Sequence, residues 1–417
     1  MGCFVSTLND SAERRCPKNV GELVVFVPGL RIPKPVDFAQ PASGDMSGSL
    51  VERLSALRTR IVVMAGQGAP MTIRPRRTAT QHGGSTLADL HHALEDYLPV
   101  LLGLVESGNQ LRHDWQFCWT NQEDDVEVTT MSNSWYEVLS VLHLMAMLSL
   151  SQANLLFLSN KLTDDYHSKV SEECRRASID IFLKAAGYLD FAVEHVLPQF
   201  PTELRNDLPL DLAEGTLRAL CLQALGQVVD IQLGMAIDSF KATLAVKRRL
   251  ACEMIKYWQQ AQENIMDLPL ANGWGKKHKL FIQWKYVEAK AAAYYLHGLI
   301  HSEGNAENLN EIAVAALQAA DVFLKESKKA SEAFHQASPL SRNPTTWGVN
   351  KYLSDKIPKD VSSRVSSSQV LQSHERIMQA APALPDFALS LKPDEYQLPP
   401  VDPSWNDIFK DKISMRV

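Results

Sequence analysis

From about residue 86 to residue 337 apolar residues recur at helical spacing almost without a break, which leaves room for little except a stack of helices. Seven segments carry the pattern, near 86–107, 133–162, 165–197, 209–238, 240–266, 275–302 and 307–337. Their joins hold ordinary punctuation: Asp164 and Asp165 at one start, Pro198 and Pro201 after one end, Asn272-Gly273 and Gly304-Asn305 between pairs. Short connections make successive helices antiparallel neighbours. Small residues alternate with large ones in Ala177-Ile181-Ala185-Leu189 and Ala289-Ala293-Leu296, so hairpins can stack closely, as in TPR-like repeat folds. No strict 34-residue period is kept, so any repeats are degenerate. The expected fold class is all-α, a helical solenoid with a small N-terminal β element.

That β element is read as Glu22–Val27, a Pro28-Gly29 turn, and a second strand from Leu30 to Phe38, which Pro33 and Pro35 confine to a sheet edge. Residues 65–85 carry Gly66, Gly68, Pro70, Pro75, Gly83 and Gly84 around Arg74, Arg76 and Arg77, the composition of an inserted basic loop. After Ser338 the sequence turns to Pro, Ser and Asp, with a short helix expected over Ser368–Ala380. Six prolines fall between Pro382 and Pro403, so the stretch 382–405 is either extended and laid over the helices by Phe387, Tyr396 and Trp405, or a disordered tail. The division is a leader over 1–19, one domain over 20–405 and a tail over 406–417.

A net charge of −6 argues against a nucleic-acid partner, which would require a dominant basic field. Six scattered cysteines without a Cys-x-x-Cys pair fit a reducing, cytosolic compartment. Val138–Leu158 has no formal charge and is long enough to span a bilayer, but His143, Gln152, Asn154 and its serines point to the centre of a helical domain instead.

Catalytic signatures are sparse. His297 and His301 share a helix face at metal-binding spacing, yet Gly298 stands where the glutamate of His-Glu-x-x-His would be. A metal-dependent hydrolase with those two ligands is therefore the weaker alternative. Gly66-x-Gly68 and Gly273-x-Gly275 complete no phosphate-binding fingerprint, and there is no Gly-x-Ser-x-Gly elbow. The expectation is a protein without catalytic residues, cofactor or metal.

The chain begins Met1-Gly2-Cys3-Phe4-Val5-Ser6, which fits N-myristoylation at Gly2 with Cys3 as a palmitoylation site. One myristoyl chain binds membranes only marginally, so the second lipid matters. Arg14, Arg15 and Lys18 add a modest basic patch.

In order along the chain, Pro35-Val36-Asp37-Phe38, His113-Asp114-Trp115, the helix Ala177–Leu189 (ASIDIFLKAAGYL), the helix Thr216–Ala224 (TLRALCLQA) and Tyr352–Pro358 (YLSDKIP) resemble the BRO domain family. The likeness covers roughly residues 20–405, and the nearest pattern is that of short members made of the domain plus a lipid anchor. Such members end in a prenylation box, whereas this chain ends Ser414-Met415-Arg416-Val417, and Leu353 falls where the family has a tyrosine. The resemblance implies a curved, boomerang-like solenoid that binds the C-terminal amphipathic helix of the core ESCRT-III filament subunit. It also implies an adaptor in endosomal and multivesicular-body sorting on the cytoplasmic face of membranes. Matching the family's contact helices places the groove anchors at Val229, Val246 and Leu250, with Lys247, Arg248 and Arg249 turned elsewhere. An apolar i, i+4 pair such as Val246 and Leu250 is also what a core face shows. A scaffold for a small GTPase or a cytoskeletal protein keeps the fold and changes the partner.

Overall fold

In the computed structural model, residues 25–38, 46–67, 87–107, 115–122, 124–158, 171–270, 273–303, 307–340, 351–364 and 374–406 are described. The leader with Gly2 and Cys3, the basic loop from residue 68 onward, His113-Asp114 and residues 407–417 lie outside them.

The helices run α1 (Gly48–Gln67), α2 (Leu87–Glu106), α3 (Ser134–Leu158), α4 (Glu172–Phe191), α5 (Thr202–Asn206), α6 (Glu214–Asp238), α7 (Leu244–Ile265), α8 (Gly273–Ser302), α9 (Glu307–Gln336), α10 (Lys351–Arg364) and α11 (His374–Ala380). From α1 to α4, and then from α6 to α9, each packs on the next, and α4 packs on α6, giving the curved helical stack expected. Helix α3 contains most of the uncharged stretch, and 78% of its most apolar window is buried inside the molecule, so it serves as a core helix. Ser171 starts α4 by accepting the Cys174 amide at 3.1 Å on its Oγ. Helix α4 ends at Phe191, short of the expected 197, and a π turn (Ala192–Val196) and a 3-10 turn containing Pro198 carry the chain on.

Three antiparallel strands, β1 (Arg31–Pro33), β2 (Phe117–Asn121) and β3 (Asp124–Met131), form a sheet in that order. Pro33 does sit on an edge strand, opposite Trp119. The strand expected over Glu22–Val27 does not form in its described part, Val25–Val27. There the backbone finds side chains instead of a neighbouring strand. Gln223 Nε2 donates to the Phe26 carbonyl at 2.8 Å, while the Phe26 ring packs on Phe281 and Phe334 with centroids 5.1 and 5.4 Å away. Helices α1, α5 and α10 and the β2–β3 hairpin are additions to the expected elements, and residues 65–67 belong to α1 and not to the basic loop.

Several buried charges among the described residues are paired. Arg31 donates to Asp211 at 2.6 Å and to Tyr136 at 2.8 Å, joining β1 to the loop before α6 and to α3. Burial alone would raise the Asp211 carboxyl, but Arg31 holds it below the usual carboxylate range. Arg58 of α1 pairs with Glu137 of α3, which also accepts from Trp119 Nε1 at 2.7 Å. His143 and His278 are both enclosed, and burial pushes them down to about 4 and about 3, so both are neutral core side chains near neutral pH.

Beyond α11 the chain is extended and docked. The Tyr396 ring meets Tyr188 and Phe191 of α4 edge-on at 4.8 and 5.3 Å. Trp405 is fully buried and donates from Nε1 to Val100 O of α2 at 3.0 Å. Phe387, Tyr396 and Trp405 therefore do the laying-down that their spacing suggested, and the disordered-tail alternative does not hold for 381–405.

Candidate functional site

Helix α7 begins where Thr243, in extended conformation, accepts the Val246 amide on its Oγ1 at 3.4 Å. Ala251, Met254, Trp258, Ala261 and Ile265 recur at three and four residues and fill the core. A second face carries Val246, Leu250, Glu253 and Tyr257, stepped by four, three and four. This stripe is divided. Its C-terminal half is covered by the extended strap: Ser390 donates to Glu253 Oε2 from Oγ at 2.6 Å, and Tyr257 OH donates to Leu391 O at 3.0 Å and accepts from Leu391 N at 3.2 Å. Lys256, beside the stripe, pairs with Asp386 and donates to the Phe387 carbonyl.

The N-terminal half is open. Val246 is 47% exposed, and Leu250 is half-buried against the core. Arg249 lies next to them, paired with Glu253 at 2.9 Å. Arg248 turns away and donates to His297 Nδ1 of α8 at 3.3 Å. The structure thus brings Val246 and Leu250 together on one accessible helical face. Val229 is different. It is fully enclosed within α6 and presents no surface, so its assignment as a direct anchor is corrected to a core position. Its neighbour Asp230 accepts from Lys285 Nζ at 2.8 Å, and Lys285 also reaches Glu288 at 2.6 Å. Burial would lower Lys285, but the two carboxylates hold its ammonium above the ordinary lysine range. The aspartate therefore balances a buried cation.

His297 and His301 meet edge-on, ring centroids 4.5 Å apart. Burial, His301 and Arg248 push His297 down to about 4. Among the described residues no set of three or more His, Cys, Asp or Glu side chains is arranged to hold a metal, and a guanidinium already occupies His297 Nδ1.

Glu253, Tyr257 and Ser390 were missed from the sequence, although the first two continue the Val246–Leu250 spacing. Gly187, seen only as part of a motif, has a local cause: a Cβ there would run into the Asp394 carbonyl of the strap. Gly103 is alike, since a Cβ would fall inside the Trp405 indole.

The BRO1-like domain family matches the chain over residues 76–347. A Bro1 domain solved as the structural basis for endosomal targeting aligns with a TM-score of 0.54 at 15% identity, covering 94% of this chain and 98% of that one. An ALIX BRO1–CHMP4C complex aligns with a TM-score of 0.55 at 15% identity, covering 92% and 97%. No curated protein sequence matches the chain.

Proposed function

Since the chain belongs to the BRO1-like domain family, we propose that it is a membrane-anchored adaptor that binds the amphipathic C-terminal helix of the core ESCRT-III subunit in endosomal sorting. The observation that carries this reading is the open half of the α7 stripe, where Val246 and Leu250 stand one helical turn apart with cations beside them. An amphipathic helix docks by setting apolar anchors into such a surface, and acidic residues on its flank would meet Arg249 and Lys247. A solved neighbour of the same fold in complex with CHMP4C supports a partner of this kind. The role is recruitment, without a catalytic step. Lipids on Gly2 and Cys3 would confine the protein to the cytoplasmic face of endosomal membranes, raising its effective concentration near membrane-bound filaments, so a weak helix interaction suffices.

The test is fluorescence anisotropy with labelled C-terminal peptides of ESCRT-III core subunits. Val246→Asp is the primary variant because its side chain is nearly half exposed, so the substitution should leave the fold intact. A charge desolvated at a docking anchor should weaken binding by about 2–4 kcal/mol. Leu250→Asp, checked for cooperative unfolding, should do the same. Absence of binding by folded wild-type protein would sink the reading. Loss of azido-myristate incorporation in Gly2→Ala tests the anchor separately.

A further inference from the structure

Phe240 is 93% exposed at the corner between α6 and α7. Isolated exposed apolar residues are ordinary, so exposure alone decides nothing. Two further observations bear on this one.

The corner is short and built. Ser239 ends α6 by donating its amide to Met235 O at 3.0 Å, and Thr243 caps α7. Between them the Lys241 amide donates to Ser239 Oγ at 3.3 Å and the Ala242 amide to Ser239 O at 3.4 Å. The ring is therefore carried on a hydrogen-bonded turn whose backbone is already ordered.

The second observation is charge. From Ser239 to Cys252 the sequence contains Lys241, Lys247, Arg248 and Arg249 and no Asp or Glu, in a protein of net charge −6. The acid just before the corner, Asp238, is paired with Arg175 at 2.8 Å. Lys241 Nζ lies 5.8 Å from the Phe240 ring centroid, so the nearest cation sits at the base of the aromatic tip.

We propose that the α6–α7 corner is a bilayer-inserting tip, with Phe240 entering the headgroup–acyl boundary of an anionic membrane while Lys241 and Lys247 remain among the lipid phosphates. A bilayer interface accepts a projecting aromatic without a shaped pocket and rewards lysines at headgroup level, whereas a protein partner would have to supply a cavity for one ring. The tip lies at a helix end, one turn from the open stripe, so insertion would hold that stripe beside the membrane surface. This contact needs neither acylation of Gly2 nor the proposed ESCRT-III partner.

The test is co-sedimentation of the full-length chain, made without acyltransferases, with vesicles of phosphatidylcholine alone or with about 30% phosphatidylserine. Wild type should sediment with the anionic vesicles only. Phe240→Ser and the pair Lys241→Glu with Lys247→Glu should each reduce the bound fraction about fivefold or more. Phe240→Ser should leave peptide binding and the unfolding midpoint unchanged. Wild type that stays in solution, or Phe240→Ser that sediments equally, overturns the proposal. So does a Phe240→Ser protein that keeps its vesicle binding and loses the peptide, because the ring then belongs to the protein interface. Failure of peptide binding in all proteins, with the vesicle pattern as expected, would remove the adaptor reading and leave this one standing.

Discussion

The two halves of the α7 stripe are chemically continuous and structurally opposite. At Glu253 and Tyr257 the helix holds the protein's own strap through four hydrogen bonds. One turn earlier Leu250 rests only partly against the core, and two turns earlier Val246 is 47% exposed. The covered half is polar, with a carboxylate and a phenol that grip an extended backbone. The open half is aliphatic, suited to side chains on an amphipathic helix and offering no group to hold a strand. On the proposed reading, the helix would separate an intramolecular ligand from an intermolecular one by chemistry.

The contrast can be broken in order of size. Trp405→Ala empties a fully buried indole site over Gly103 and removes the hydrogen bond to Val100, so the strap's far end should come loose at a cost of about 3–5 kcal/mol by urea unfolding. If covering by the strap is what defines the closed half, that variant should also expose Glu253 and Tyr257, measurable as faster amide exchange at Leu391 and Asp394. Glu253→Ala acts directly on the boundary. It leaves Ser390 without its acceptor and Arg249 without its partner, for a loss of about 1–3 kcal/mol. Val246→Ser should change stability by no more than about 0.5 kcal/mol while weakening peptide binding, because the side chain is half in water. A large stability loss there would show that the open half is core after all and would erase the distinction.

Much of this fold was legible because periodicity over long segments is a collective signal. The seven segments correspond to α2, α3, α4, α6, α7, α8 and α9. Helix α1 was equally readable, since Leu50, Leu54, Ile61 and Ala65 are its buried positions at helical spacing, yet they lie among loop-like neighbours. The β2–β3 hairpin was hidden by its length and by the helical pattern around it, and α10 by Pro358 and its serines. The site was legible in part. Spacing put Val246 and Leu250 on one face, but an apolar pair looks the same whether covered or exposed, and Val229 shows how a fully enclosed residue passes for an anchor. What closes the other half of the stripe, at Glu253 and Tyr257, is a strap more than 130 residues away in sequence, which no local pattern records.

The strap has a consequence for how the molecule comes apart. In a linear array where each hairpin touches only its neighbours, the terminal units can fray while the middle survives, and melting spreads inward like an opening zipper. Here the segment after α11 crosses α7 at Tyr257, α4 at Leu183 and α2 at Pro99, and is tied to Arg53 of α1 through Asp402 at 2.6 Å. The two ends of the array are thereby laced together, so neither can fray without unlacing the other, and a chain built from degenerate repeats should lose its structure in one concerted step.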